Sequence, residues 1–219
     1  MIYVLGIDNG VSGAATLMDI EGSKAVSRLV PTVRKKTGPK KHRTRYDLRG
    51  IWRLIAACTP KEDLPTRLQH LSNMAPGDKV YAYLEAGTPM PRKSSDETVN
   101  EGSVANFRNG VGTGLWQGIL TGLQIPYQLV VPRSWQAAML PGIKGRTKLK
   151  AASVDKALDL YPAIVVTLKG PKGGTRDGVA DATLIAEYGR LKLREIMDAQ
   201  GGEPSMTEDE VLITTEGLA

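Results

Sequence analysis

The chain has 219 residues, of which 41% are hydrophobic and 5% aromatic, with one cysteine and two histidines. That is enough apolar material for a proper core in one domain, or in two small ones. It excludes an intramolecular disulfide and argues against a zinc site. The N-terminus lacks the basic-then-apolar layout of a signal peptide, and no apolar run is long enough to span a bilayer, so a soluble, intracellular protein with no membrane partner is expected.

The net charge of +6 is unevenly spread. The last basic residue is Arg194, and seven acids follow it. Residues 1–194 therefore hold 29 basic and 16 acidic side chains, a net of +13. A body that basic points to a polyanion, most simply nucleic acid. Residues 198–219, rich in Gly, Pro, Ser, Thr and acids, read as a disordered tail behind a domain of residues 1–197.

The first strand is Val4-Leu5-Gly6-Ile7, which carries Asp8 to its end, and Gly10 and Gly13 then reverse the chain into Ala14–Met18. An apolar strand ending in Asp before a glycine turn can hold a divalent metal or bring backbone N–H groups to a phosphate. A turn at Glu21-Gly22-Ser23 and a third strand over Ala25–Pro31 complete an antiparallel meander. Residues 33–45 contain seven bases and no acid: Arg34, Lys35, Lys36, Lys40, Lys41, Arg43 and Arg45. With Gly38-Pro39 at its centre, the segment reads as a mobile loop that contacts phosphates.

Leu48, Ile51, Trp52, Ile55 and Cys58 have helical spacing and should cover the sheet, with Cys58 a small core residue. Leu64–Met74 suggests a second short helix. Val80–Leu84 repeats the opening pattern and ends in Glu85, followed by a rigid loop with Arg92 and Lys93. Two parallel strands that each end in an acid bring both carboxylates to one edge.

Residues 94–102 are polar and read as flexible. Ser103–Leu123 reads as a helix despite Gly110, Gly112, Gly114, Gly118 and Gly122. Each glycine costs about 1 kcal/mol relative to alanine in a helix interior, so close packing against the sheet or a second subunit is expected in return. Gln128–Val131 is a strand, and Pro132–Trp135 turns away from it. A second basic segment with Lys144, Arg146, Lys148 and Lys150 leads into a helix that Pro162 stops. A third basic, glycine-rich loop carries Lys172 and Arg176.

A last helix opens with Asp177 and Asp181, placed i and i+4 on one side. Asp177 alone could cap the helix. Asp181 is flanked by apolar residues, and a buried acid needs a partner, for which a metal is the natural choice. Asp8, Glu85, Asp177 and Asp181 form an oxygen-only ligand set suited to Mg²⁺, with Mn²⁺ able to substitute. An acidic pocket in a basic body suits metal-assisted phosphodiester hydrolysis.

Gly6-Ile7-Asp8-Asn9-Gly10, Tyr83-Leu84-Glu85 and Asp177-Gly178-Val179-Ala180-Asp181-Ala182 together resemble the RuvC family of Holliday junction resolvases. The likeness spans roughly residues 1–195, and Gly112-x-Gly114-Leu115-Trp116-x-Gly118 and Ile185–Gly189 resemble its phage and chloroplast branch. The resemblance implies an α/β, RNase H-like fold with a mixed five-stranded sheet, an antiparallel meander and then parallel strands, flanked by helices. It implies a homodimer that nicks a four-way DNA junction symmetrically with divalent metal, in recombination and repair. Carried over by position, Asp8, Glu85 and Asp181 would be metal ligands. The bacterial enzyme's fourth acid matches Gly178, so Asp177 stands one residue from the family's place. The family's site lysine matches Lys148, with Lys150 the competing choice. Its base-probing residue falls near Pro89-Met90-Pro91 or at Phe107, which otherwise reads as a core residue.

Overall fold

The computed structural model describes residues 1–38, 42–64, 66, 69, 72–87, 99–171 and 173–202, with only the backbone described for 99–106 and 108. A five-stranded sheet organises the chain. Its strands are β1 (Ile2–Ile7), β2 (Ala14–Asp19), β3 (Ala25–Leu29), β6 (Lys79–Glu85) and β7 (Tyr127–Val130), in the order β3-β2-β1-β6-β7. β1 and β2 pair antiparallel, as do β2 and β3, whereas β1–β6 and β6–β7 are parallel. An antiparallel meander continued by parallel strands, with helices on both faces, is the RNase H-like α/β arrangement expected from the sequence.

Strand alternation sorts the core into two layers. Val4, Tyr81 and Tyr83 point to one face, against α6 (Asp177–Gln200) and α3 (Pro132–Met139). Leu5, Ile7, Val80, Ala82 and Leu84 point to the other, against α1 (Leu48–Ala56) and α2 (Val99–Gly122). Both middle strands are buried on both sides, which is why they read as nearly unbroken apolar runs. Gly6 has a specific use: a Cβ there would lie 2.3 Å from the Ala186 nitrogen, so its absence brings β1 and α6 into backbone contact.

α1 covers the sheet as its spacing predicts, with Asp47 capping it through the Gly50 N–H at 3.1 Å. Cys58 follows it, and burial pushes its thiol up to about 11. α4 (Arg146–Leu160) ends just before Pro162, and the short α5 (Val165–Leu168) leads back towards the start of α6. Among the described residues, no helix is long and apolar enough to cross a membrane.

Several expectations are corrected. The basic segment is an antiparallel ribbon, β4 (Thr32–Lys36) with β5 (His42–Tyr46), instead of a mobile loop. Thr32, Val33, Thr44 and Tyr46 are β-formers, and their pairing outweighs the charge repulsion. α2 begins at Val99, so the residues from 99 on that were read as flexible are helical. Within the Leu64–Met74 stretch, the described residues contain no α-helix; a 3₁₀ turn over Lys61–Asp63 precedes it.

Pro132–Trp135 is the start of α3, with Pro132 in the first turn where its missing N–H costs nothing. Phe107 is 72% exposed instead of buried; Asn109, Gly110 and Val111 beside it are exposed too, and among the described residues of α2 the first buried one is Gly112. Helix α6 extends through Gln200 and stops at Gly201 in the left-handed region (φ 66°), three residues past the expected start of the tail. Residues 203–219 lie outside the described residues, as do Lys40, Lys41, Pro89, Met90, Pro91, Arg92, Lys93 and Lys172.

Candidate active site

Parallel pairing sets Ile7 opposite Leu84, so Asp8 and Glu85 emerge side by side from the same edge of the sheet. Alternation also gives both the parity of Val4, Gly6, Tyr81 and Tyr83, which is the α6 face. Helix α6 meets that face with Asp181 one turn inside its start. Gly178 makes the approach possible: a Cβ there would lie 2.6 Å from the Ser12 carbonyl oxygen and 2.8 Å from Asp8 Oδ2. Gly13 is equally constrained, with a Cβ 2.2 Å from the Asp8 carbonyl oxygen. No side chain fits at position 178.

Each of the three inner carboxylates has one oxygen held by the protein. Asp8 Oδ1 accepts from the Gly10 N–H at 3.0 Å. Glu85 Oε1 accepts from the Trp135 indole N–H at 3.0 Å, and Asp181 Oδ1 accepts from the Ser153 hydroxyl. The second oxygen of each makes no hydrogen bond among the described residues. Burial, with the neighbouring acids adding to it, pushes Asp8 up to about 6 and Glu85 up to about 8, and also raises Asp181. Asp177 differs. Its hydrogen bond to Lys150 holds it below the usual carboxylate range, and its side chain is 37% exposed. It is the first residue of α6, next to the cap position held by Arg176.

Lys150 Nζ pairs with Asp177 Oδ2, and its charge also lowers Asp8 and Asp181. Lys148 is exposed on α4 and makes no ion pair among the described residues. Two residues along a helix turn a side chain to the far side, so α4 can present only one of these lysines to the acids.

The donor chemistry fits a hard divalent cation: oxygen-only ligands, mutual repulsion between partly buried carboxylates, and a second oxygen on each without a hydrogen-bond partner among the described residues. Among the described residues, no three such side chains converge closely enough to hold an ion as they stand.

Three contributors went unnoticed in the sequence. Trp135 (1% exposed) and Ser153 hold the acids from α3 and α4. Neither lies in a recognisable motif; each is identified only by what it touches. Asn9 is a third. Its side-chain amide donates to the Glu85 carbonyl oxygen and to Thr113 Oγ1, both at 2.9 Å, so it ties the ends of β1 and β6 to α2.

The basic residues fall around this edge unevenly. Arg34, Lys35, Lys36, Arg43 and Arg45 are exposed on the ribbon, whose root meets the site through Tyr46. Lys144 and Arg146 are exposed at the start of α4. Arg176 is committed to the fold, donating to the Thr167 carbonyl oxygen at 3.0 Å. The glycines of α2 divide: Gly112 packs under Tyr46, whereas Gly110, Gly114, Gly118 and Gly122 have open space where a Cβ would stand.

A meander-plus-parallel sheet with acids at adjacent strand ends and on a facing helix places the chain in the RNase H-like fold class. Among solved structures, the chain is similar to Thermus thermophilus RuvC: 16% identity over 87% of this chain and 96% of that one, with a TM-score of 0.41. T. thermophilus RuvC in complex with Holliday junction substrate gives 15%, 86%, 96% and 0.40. Likeness at this level assigns no residue and no activity. No family model matches the chain, and no curated protein matches it.

Proposed function

We propose that the protein is a metal-dependent, structure-selective DNA endonuclease, and that its substrate is the four-way junction. The observation that carries this reading is that Asp8, Glu85 and Asp181 lie within electrostatic reach of one another at one sheet edge of a chain whose first 194 residues bear a net charge of +13. A basic surface gathers a polyanion, while three partly buried acids repel the scissile phosphate unless cations neutralise them.

In this reading Asp8, Glu85 and Asp181 hold the cations, Mg²⁺ with Mn²⁺ as substitute, and Asp177 is an outer ligand released when Lys150 moves to the DNA. Bound there, the ions supply a lowered pKa for the attacking water and neutralise the leaving oxygen. The protein's own part is orientation. Gly10, Trp135 and Ser153 hold one oxygen of each acid and leave the other available to a cation. Lys150, in preference to Lys148, supplies a positive charge beside the scissile phosphate. Arg34, Lys35, Lys36, Arg43, Arg45, Lys144 and Arg146 hold flanking phosphates, with Lys40, Lys41, Arg92, Lys93 and Lys172 as further candidates. A four-way junction has two strands to cut, so two copies of the chain act as a homodimer. The acidic tail is a separate appendage.

The test is a labelled four-way junction incubated with protein and Mg²⁺, beside duplex and fork controls. Paired, symmetric nicks that vanish in Asp8→Asn are expected; nicks that persist in Asp8→Asn would sink the assignment. The open arrangement of the acids favours one second reading, a junction-binding protein that does not cut, which tight binding without any nicking would support.

A further inference from the structure

Within the ribbon, opposite partners share a face, and alternate residues along each strand share it too. The register pairs Thr32 with Tyr46, Arg34 with Thr44 and Lys36 with His42. These six therefore lie on one face. Val33, Lys35, Arg43 and Arg45 lie on the other.

The two faces do not have equal access to the acids. At the root of the first, the Tyr46 hydroxyl donates to the Asn9 carbonyl oxygen at 2.7 Å, one residue from Asp8. Its oxygen is seated over Gly112 of α2, where a Cβ would come within 2.6 Å of it. Asn9 in turn bonds to the Glu85 carbonyl and to Thr113, and the Gly87 N–H donates to the same Thr113 oxygen at 3.1 Å. A single tyrosine thus joins a charged ribbon to the backbone that carries both strand-end carboxylates. Strand rise is about 3.3 Å per residue, so Lys36 stands about 13 Å beyond Thr32, comparable to the roughly 12 Å width of a DNA major groove, which admits a two-stranded ribbon.

We propose that Tyr46 is a positioning residue that registers duplex DNA, gripped by the Arg34–Lys36 face of the ribbon, against the Asp8–Glu85 edge. The ribbon is then part of the cutting machinery as well as an electrostatic tether. Lys35 and Arg43, on the opposite face, add affinity without that link. The inference rests on the DNA reading above, but its test does not depend on nicking.

If DNA on the ribbon biases the position of Asp8, DNA and metal must raise each other's affinity. Mn²⁺ affinity is measured by electron paramagnetic resonance, with and without a short duplex carrying non-hydrolysable linkages. The wild type is expected to gain about tenfold in Mn²⁺ affinity on adding DNA, a typical coupling. Tyr46→Phe, which keeps the ring and so the packing, should cut the gain to about twofold while its DNA affinity in EDTA stays within about twofold. Arg34→Ala/Lys36→Ala should lose the gain and reduce the salt dependence of binding by about two phosphate contacts. Lys35→Ala/Arg43→Ala should weaken DNA binding but keep the gain.

A full gain in Tyr46→Phe, equal loss from both ribbon faces, or no gain in the wild type would each overturn the proposal. Coupling that follows this pattern in a protein that nicks no DNA would overturn the nuclease reading and leave the role of Tyr46 standing.

Discussion

Replacing Asp8 by Asn should stabilise the metal-free protein at alkaline pH. Asp8 is raised from 3.8 to about 6 in the folded state, chiefly by burial. A carboxylate whose folded pKa is above its unfolded value binds more protons when folded. Stability therefore falls as pH climbs through the window between about 4 and about 6, and the full cost is present above it. A shift of about two units corresponds to about 3 kcal/mol. Asp8 is partly exposed, and Asn keeps an oxygen for the Gly10 N–H, so screening brings the expected gain nearer 1–2 kcal/mol. For a chain of this size that is about 3–6 °C in melting temperature.

The assay is thermal unfolding followed by circular dichroism in EDTA at pH 4 and pH 8. Asp8→Asn should melt higher than wild type at pH 8 and no higher at pH 4, where the wild-type acid is already protonated. Glu85, raised to about 8, extends the wild type's decline further up the pH scale. Added Mg²⁺ should raise the wild-type melting temperature at pH 8 and leave the variant's nearly unchanged. A variant less stable than wild type at pH 8, or an equal gain at pH 4, would show that the acids are not under mutual strain.

Other outcomes follow from the same geometry. Gly178→Ala should cost about 1–3 kcal/mol and abolish Mn²⁺ binding, since the new methyl meets the Ser12 carbonyl and Asp8; denaturant titration and calorimetry read the two effects. Trp135→Phe removes the donor that lowers Glu85, so the acid limb of any nicking profile should move to higher pH while the core stays packed. Lys150→Ala should slow single-turnover nicking at least tenfold and Lys148→Ala by less than twofold, because only Lys150 meets the acids. Glu187→Gln should cost about 3–5 kcal/mol, measured in urea, because Arg190 is left half-buried with its carboxylate partner gone.

Much of the architecture was legible because it depends on local pattern. The apolar runs of β1 and β6 and the glycine turns after Asp8 are properties of contiguous residues, as is the 3.6-residue spacing in α1. The shared edge of Asp8 and Glu85 could be read because strands of one sheet bring their ends together. What escaped was non-local or decided by close contact. Trp135 and Ser153 matter through partners 50 and 28 residues away in sequence. Lys148 and Lys150 differ only in which side of α4 they occupy relative to α6. The ribbon was hidden because its dense positive charge masks the β propensity of Thr32, Val33, Thr44 and Tyr46 that pairs it.

The contact between Gly6 and Ala186 sets the tolerance of the whole site. Where a strand and a helix meet through side chains, their spacing drifts whenever the packing between them is exchanged. Here two main chains touch, and no side-chain exchange elsewhere can bring them nearer. The gap between Asp8 and Asp181 is thereby gauged by the van der Waals contact of two main chains. The hydrophobic interior can accept wide substitution around that gauge, but a single methyl at residue 6 would spoil its calibration.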